Sequence, residues 1–331
     1  MRWLITGGAG FIGTNTVLGL HGRGEEIEVI DDLSRPGVLD NSNFIKLQTN
    51  LHIHEIDITD NDKIANFLRT RERFDVILNL AGQVSLMESI RNPLRDFAVN
   101  TSGPLNLMEY LRIFSPETMF INMSSNKVYG SLEYLKVSEE GKRYKVPGYE
   151  NGFTEETKLD FHGPYGCSKG AADQYLNDYR RIYGLNTVSF RQSAVYGPFQ
   201  KPQSDQGWLA YMVEEIIAGR TIQLNGVGKQ VRDLLYVEDL VELFFTLSRK
   251  KQLIKETSFN VGGGPLNQLS ILELFDYLDS DYGLSAKFKT GELRPGDQKF
   301  FISNTDRITA LTDWRPHTTI KGGIQRLIDN L

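Results

Sequence analysis

The chain has 331 residues, 40% of them apolar and 24% charged, with a formal net charge of −5 at pH 7, which excludes disorder, collagen and coiled coil and leaves room for more than one domain. Scattered basic residues under a negative balance argue against a nucleic-acid partner, and apolar runs of strand length only argue against a membrane span. A single cysteine, Cys167, can form neither an internal disulfide nor a cysteine-based site, so no metal is expected.

From Met1 the chain runs directly into a motif with no leader pattern, so a cytoplasmic protein is expected. Strand-length apolar runs then alternate with amphipathic stretches: 3–6, a helix from Phe11, 29–31, a helix near Asp60, 76–80, a helix near Leu105, and 120–124. This alternation predicts an α/β fold, a Rossmann-type doubly wound parallel sheet with helices on both faces. A helix over 165–183 and a strand over 187–191 extend it, so 1–191 is expected to form one domain. Beyond it Pro198, Pro202 and Gly207 break the rhythm before a helix at 208–218 and glycine-punctuated strands. The strand-like run 231–236 and the helix 237–248 read as a return to the sheet edge. The expected division is therefore interleaved: 1–191 with a return at about 231–258, and a smaller α/β domain from 192–230 and 259–331. The polar insertion 132–157 is expected to be a solvated excursion rather than a lid.

The run Thr6-Gly7-Gly8-Ala9-Gly10-Phe11-Ile12-Gly13 follows the first strand and opens a helix. Gly7 permits a tight turn, Gly10 lets backbone approach a pyrophosphate, Gly13 lets helix pack on strand, and the helix N-terminus offers N–H groups to the anion. Asp31, at the end of the second strand, suits the adenosine ribose hydroxyls and would repel a 2′-phosphate, favouring NAD over NADP. Asp32 follows it, and Arg35 is a competing phosphate partner.

Tyr165 and Lys169 are four apart and so lie on one helical face, where an ammonium would stabilise a phenolate and lower the tyrosine pKa. Upstream, a strand ends in Ser124-Ser125 at the carboxyl edge of the sheet, where ligands of such folds bind.

In this order the motifs resemble the extended short-chain dehydrogenase/reductases of the nucleotide-sugar epimerase/dehydratase group, nearly end to end. The resemblance implies a catalytic set of Ser125, Tyr165 and Lys169. It implies NAD contacts from Gly7, Gly10, Phe11, Ile12, Gly13, Asp31, Asp32, Ser34 and Arg35, and from Asp57-Ile58 at the adenine. Leu80-Ala81-Gly82-Gln83, Asn100, Tyr165 and Lys169 complete that set. Substrate contacts are implied for Ser125, Asn126, Gln206, Arg232 (in Val231-Arg232-Asp233) and Arg294 (in Arg294-Pro295-Gly296-Asp297), the two arginines gripping a diphosphate. Stretches 125–130, 159–175 and 205–208 are similar to members that epimerise C2 of a CDP-sugar. Two departures stand out: Ala194 replaces an asparagine common in the group, and Ser125 a threonine expected in the subgroup.

Dehydratases of the group carry an Asp-Glu pair where this chain has Asn126-Lys127, and asparagine cannot exchange a proton at neutral pH. Epimerisation through a transient 2-keto sugar is therefore the expected reaction. The alternatives are a 4-epimerase or net oxidoreductase on another nucleotide-sugar, or a non-catalytic NAD sensor. The family also implies a homodimer or homotetramer.

Overall fold

The computed structural model describes residues 1–294 and 296–329; Pro295 of the 294–297 motif and the end of the expected second domain lie outside them. Seven parallel strands form the central sheet: β1 (Arg2–Thr6), β2 (Glu26–Asp31), β3 (Ile53–Glu55), β4 (Val76–Asn79), β5 (Met119–Ser125), β6 (Thr187–Gln192) and β7 (Ser258–Val261). Their order is β7-β6-β5-β4-β1-β2-β3, so the order reverses between β1 and β4, where such sheets bind ligands.

Both faces of the sheet are covered, which is why its strands read as continuous apolar runs rather than alternating ones. Trp3, Ile5, Val29, Leu78 and Ile121 face one core, filled by helices Phe11–His21, Val38–Thr49 and Val237–Arg249. Leu4, Ile30, Ile77 and Phe120 face the other, filled by helices Asn61–Arg69, Gly103–Phe114 and Gly163–Tyr183.

A smaller sheet joins Ala194–Tyr196, Val231–Tyr236, Gln268–Ser270 and Phe300–Phe301, backed by helices Trp208–Ile217, Ile271–Tyr282 and Ile320–Asp329. Strand Val231–Tyr236 thus lies at the centre of this sheet and does not return to the edge of the large one. That edge is β7, paired with β6; what returns in between is the helix Val237–Arg249, which packs on Phe11–His21. A strand pattern specifies that a segment pairs, but not with which partner.

The insertion also departs from expectation. Its hairpin, Ser138–Glu140 with Arg143–Lys145, is held to the small lobe by Arg143, bidentate to Glu273 of helix Ile271–Tyr282 at 2.7 and 2.8 Å, and by Tyr144 N–H donating to the carbonyl of Lys229, just before strand Val231–Tyr236, at 2.9 Å. Leu132, Val146 and Phe153 are buried with Val128, Tyr129, Phe300 and Phe301. The stretch is a clasp between the end of β5 and the small sheet. Its alternating charges conceal the few apolar residues that do the packing.

Candidate active site

At the end of β1 the chain turns through Gly7, whose φ of +65° suits glycine and whose Cβ, if present, would lie 2.5 Å from Ala81 N. A Cβ on Gly13 would lie 2.3 Å from the Gly7 carbonyl oxygen, so helix Phe11–His21 can start this close only with glycine there. Gly10 caps that helix without a side chain, and no acid stands in its first turn. Concave backbone, an uncapped helix N-terminus and missing Cβ atoms together fit a dinucleotide pyrophosphate.

Asp31 serves this turn directly. One carboxylate oxygen accepts from Ala9 N–H and the other from Leu33 N–H, both at 2.9 Å, which leaves spare lone pairs for ribose hydroxyls. Burial pushes its carboxyl above the usual range, against those backbone hydrogen bonds. Ser34 donates to Asp32 at 2.7 Å, and Arg95 ties Asp32 (3.2 Å) to Asp57 (2.8 Å). Ile58 is committed to the core over Gly103, so only its backbone can meet a ligand.

Ser125 ends β5, and Tyr165 and Lys169 lie one turn apart on helix Gly163–Tyr183. Lys169 is 6% exposed and donates to the Met123 carbonyl at 3.0 Å. Here the expected electrostatics fail. Burial pushes the Tyr165 phenol up to about 12; a hydrogen bond with Ser125 lowers it, Asp96 raises it and Arg35 lowers it. The Lys169 ammonium donates to the Met123 carbonyl of the neighbouring strand rather than to the phenol, and burial brings it down to about 8. Behind this pair, Asn100 donates to the Gln83 carbonyl at 2.9 Å and accepts from Gln83 N–H at 3.0 Å, bracing the loop after β4.

A single cleft of about 430 Å³ gathers most of the sequence-derived candidates. Gly7, Gly10, Phe11, Ile12, Gly13, Leu80, Ser125, Asn126 and Tyr165 line it from the large sheet and the turns at its edge, and Gln206, Arg232 and Arg294 complete the lining. Arg35 stands at the lip, donating to Gln206 at 2.6 Å, while Ser85 donates to Asp205 at 2.5 Å and Arg294 to the Ser204 carbonyl at 3.0 Å. The segment 203–207 is thereby strapped across from both sides. Asp31, Asp32, Ser34, Asp57, Ile58, Ala81, Gly82, Gln83, Asn100 and Lys169 lie outside the lining.

Arg232 does not face the cleft as a free cation. It donates to Asp297 at 2.8 Å, and Lys127 donates to the same carboxylate oxygen at 2.9 Å. Burial favours the neutral Asp297, but the Lys127 ammonium and the Arg232 guanidinium outweigh it and hold its carboxyl at about 2. The cluster presents one net positive charge rather than two. Asn126 is occupied as well, donating to Gln298 at 3.0 Å.

Sequence reasoning missed part of the wall. Gln192, Tyr196, Gln200, Trp208 and Gln230 line the cleft, and each has a buried polar atom without a hydrogen-bond partner among the described residues. Such orphans suit a polar ligand. Trp208 falls in the stretch 205–208 that the resemblance had already singled out, but Gln192, Tyr196, Gln200 and Gln230 come from separate positions with no shared motif, so no local signal marks them.

The NAD dependent epimerase/dehydratase family model matches residues 3–262. The chain is 40% identical over 334 residues to CDP-paratose 2-epimerase of Salmonella typhi, covering 99% of this chain and 98% of that one. Among solved structures it is similar to UDP-glucose 4-epimerase of Thermotoga maritima with UDP-glucose (28% identity, TM-score 0.82, covering 100% of this chain and 98% of that one). It is also similar to UDP-glucose 4-epimerase of Thermus thermophilus in complex with NAD (28% identity, TM-score 0.80, covering 100% of this chain and 98% of that one). With its glycine cradle, strand-end serine and Tyr165 in one cleft and a family match over most of its length, the chain belongs to the NAD dependent epimerase/dehydratase family.

Proposed function

We propose that the protein is a CDP-sugar 2-epimerase that interconverts CDP-paratose and CDP-tyvelose. The observation that carries the reading is the turn after β5. Ser125 stands beside Tyr165 in the cleft, while the two following residues, Asn126 and Lys127, offer no acid–base pair and are held by Gln298 and Asp297. Elimination of water lacks its machinery, whereas proton transfer at a single hydroxyl has it. The 40% identity to a CDP-paratose 2-epimerase supports C2 and a cytidine nucleotide.

An unactivated sugar carbon cannot be inverted by simple deprotonation, so the route is oxidation and re-reduction. Bound NAD supplies the hydride acceptor and, after the sugar has turned, the donor. Tyr165, as the phenolate that the Ser125 hydrogen bond and the Arg35 guanidinium favour, takes the C2 hydroxyl proton and later returns it. Ser125 holds the oxygen. Arg232 and Arg294 keep the diphosphate anchored while the sugar presents its other face.

A substrate deuterated at C2 should give an epimer that retains the label, read by product NMR. Label lost to water would reject the shuttle, and label retained at C2 with inversion at C4 would move the chemistry to the other carbon. Arg232→Ala should weaken nucleotide-sugar binding at least tenfold, since a charge-assisted hydrogen bond contributes about 1.5–3 kcal/mol, and leave NAD⁺ affinity unchanged. Paired calorimetric titrations measure both; equal losses would make Arg232 structural.

The same reading places the enzyme in the cytoplasm, in keeping with its lone exposed Cys167, as a homodimer or homotetramer. Ile90, Leu94, Phe97, Ile113, Ile182 and Tyr183 are exposed on helices beside and including Gly163–Tyr183, and their apolar surface supports pairing there.

A further inference from the structure

Asp96, on the short helix Pro93–Phe97, is fully buried at 0% exposure, and its direct side-chain partners among the described residues are neutral. Gln83 Nε2 donates to one oxygen at 2.8 Å and Asn100 Nδ2 at 3.1 Å, while Ser168 Oγ donates to the other at 2.5 Å. Lys169, the residue after Ser168, is in the mirror situation: a buried ammonium whose hydrogen bond goes to a neutral carbonyl. Buried charges persist when a countercharge is near, and these two are neighbours through Ser168.

We propose that Asp96 is a positioning residue for the catalytic pair, holding the start of helix Gly163–Tyr183 through the Ser168 hydroxyl and serving as the counter-ion that keeps Lys169 protonated without touching it. Its charge opposes the effect of burial on Lys169 and raises the Tyr165 phenol as well. The other charges on the packed elements are directed elsewhere. Glu88 and Arg91 are exposed, Arg95 serves Asp32 and Asp57, and Glu109 pairs with Arg112. Lys127 pairs with Asp297 and Arg191 with Asp173; Arg35 acts on Tyr165.

This inference rests on the roles given above to Tyr165 and Lys169, and its test is separable from theirs. In Asp96→Asn the amide oxygen can still accept from Gln83 and Asn100 and the amide nitrogen can donate to Ser168, so the charge goes and the hydrogen bonds stay. Lysine-labelled protein, with the Lys169 resonance identified by its loss in Lys169→Met, reports the ammonium directly and without turnover. Its midpoint, about 8 in the unaltered protein, should fall by on the order of 1 unit in Asp96→Asn. Both limbs of the pH profile of kcat/KM should move to lower pH, because losing the anion eases deprotonation of both groups. Ser168→Ala, which keeps the carboxylate, should lower kcat and leave the midpoint in place. Asp96→Glu should keep a midpoint near that of the unaltered protein, which preserves the test if the asparagine variant does not fold. An unchanged midpoint in Asp96→Asn, or one lowered equally in Ser168→Ala or Asp96→Glu, overturns the proposal. Failure of the 2-epimerase reading would appear in the reaction product and leave the Lys169 midpoint untouched.

Discussion

Tyr165→Phe loses turnover by at least about 10²–10⁴-fold while folding and binding both ligands as before, because one general acid–base group serves both the oxidation and the reduction. The ring is 8% exposed and a phenylalanine of the same outline fills its place. The glycine cradle, Lys169 and the arginines at the far side of the cleft keep their geometry, so dissociation constants for NAD⁺ and nucleotide-sugar should be unchanged. Ser125 loses the hydroxyl it bonds to and keeps Lys127 N–H, which donates to it at 3.2 Å. Turnover assays alongside cofactor titration separate the outcomes. A fall in both would show that the phenol holds the site together; a fall in neither would remove Tyr165 from the mechanism.

Asp173→Ala costs about 3–5 kcal/mol of stability, as much as truncating a large core side chain. Asp173 sits on the same helix as Tyr165 and Lys169, fully buried, and accepts from Arg191 at 2.7 and 3.2 Å and from Ser189 at 2.6 Å. Arg191 is buried as well and also donates to Tyr129 at 3.1 Å and to the Glu155 carbonyl at 3.3 Å. Removing the carboxylate strands the guanidinium in the core. Two partners remain to it, both neutral. Urea unfolding should show the loss, and joint replacement by apolar residues, Asp173→Leu with Arg191→Met, should recover much of it. If the double replacement is as unstable as the single one, packing rather than the stranded charge is the cause.

Where the sequence was legible, each signal was local and mechanical. The glycine turn, the acid at the end of β2 and the four-residue spacing of Tyr165 and Lys169 each demand a particular residue at a particular backbone geometry, so each can be read within a few positions. Strand Val231–Tyr236 was legible as a strand, yet its sheet was not, because its partners at 194–196, 268–270 and 300–301 lie up to dozens of residues away. The clasp over 132–157 was hidden for a related reason: Phe153 and Val146 gain their importance only when Phe300 and Phe301 arrive from the other end of the chain. Asp96 looks like any acid in a short surface helix. Only burial distinguishes it, and burial is decided by Gln83, Asn100 and Ser168 together. The tyrosine–lysine electrostatics were misjudged because the spacing places two side chains on one face without saying where a flexible ammonium points.

The edge strand β7 enters the large sheet only after the chain has laid down the first two of the four strands of the small one, and helix Val237–Arg249 is delivered to the large core on the way. The small lobe is consequently not a cassette. A recombination event that exchanged everything after 191 would carry off β7, strip Val188 and Phe190 of their neighbour Phe259, and uncover helix Phe11–His21 beneath the cofactor cradle. Diversification of such a protein toward new sugars is therefore channelled into point changes on the cleft wall, at positions such as Trp208 and Gln192, rather than into wholesale shuffling of its binding half.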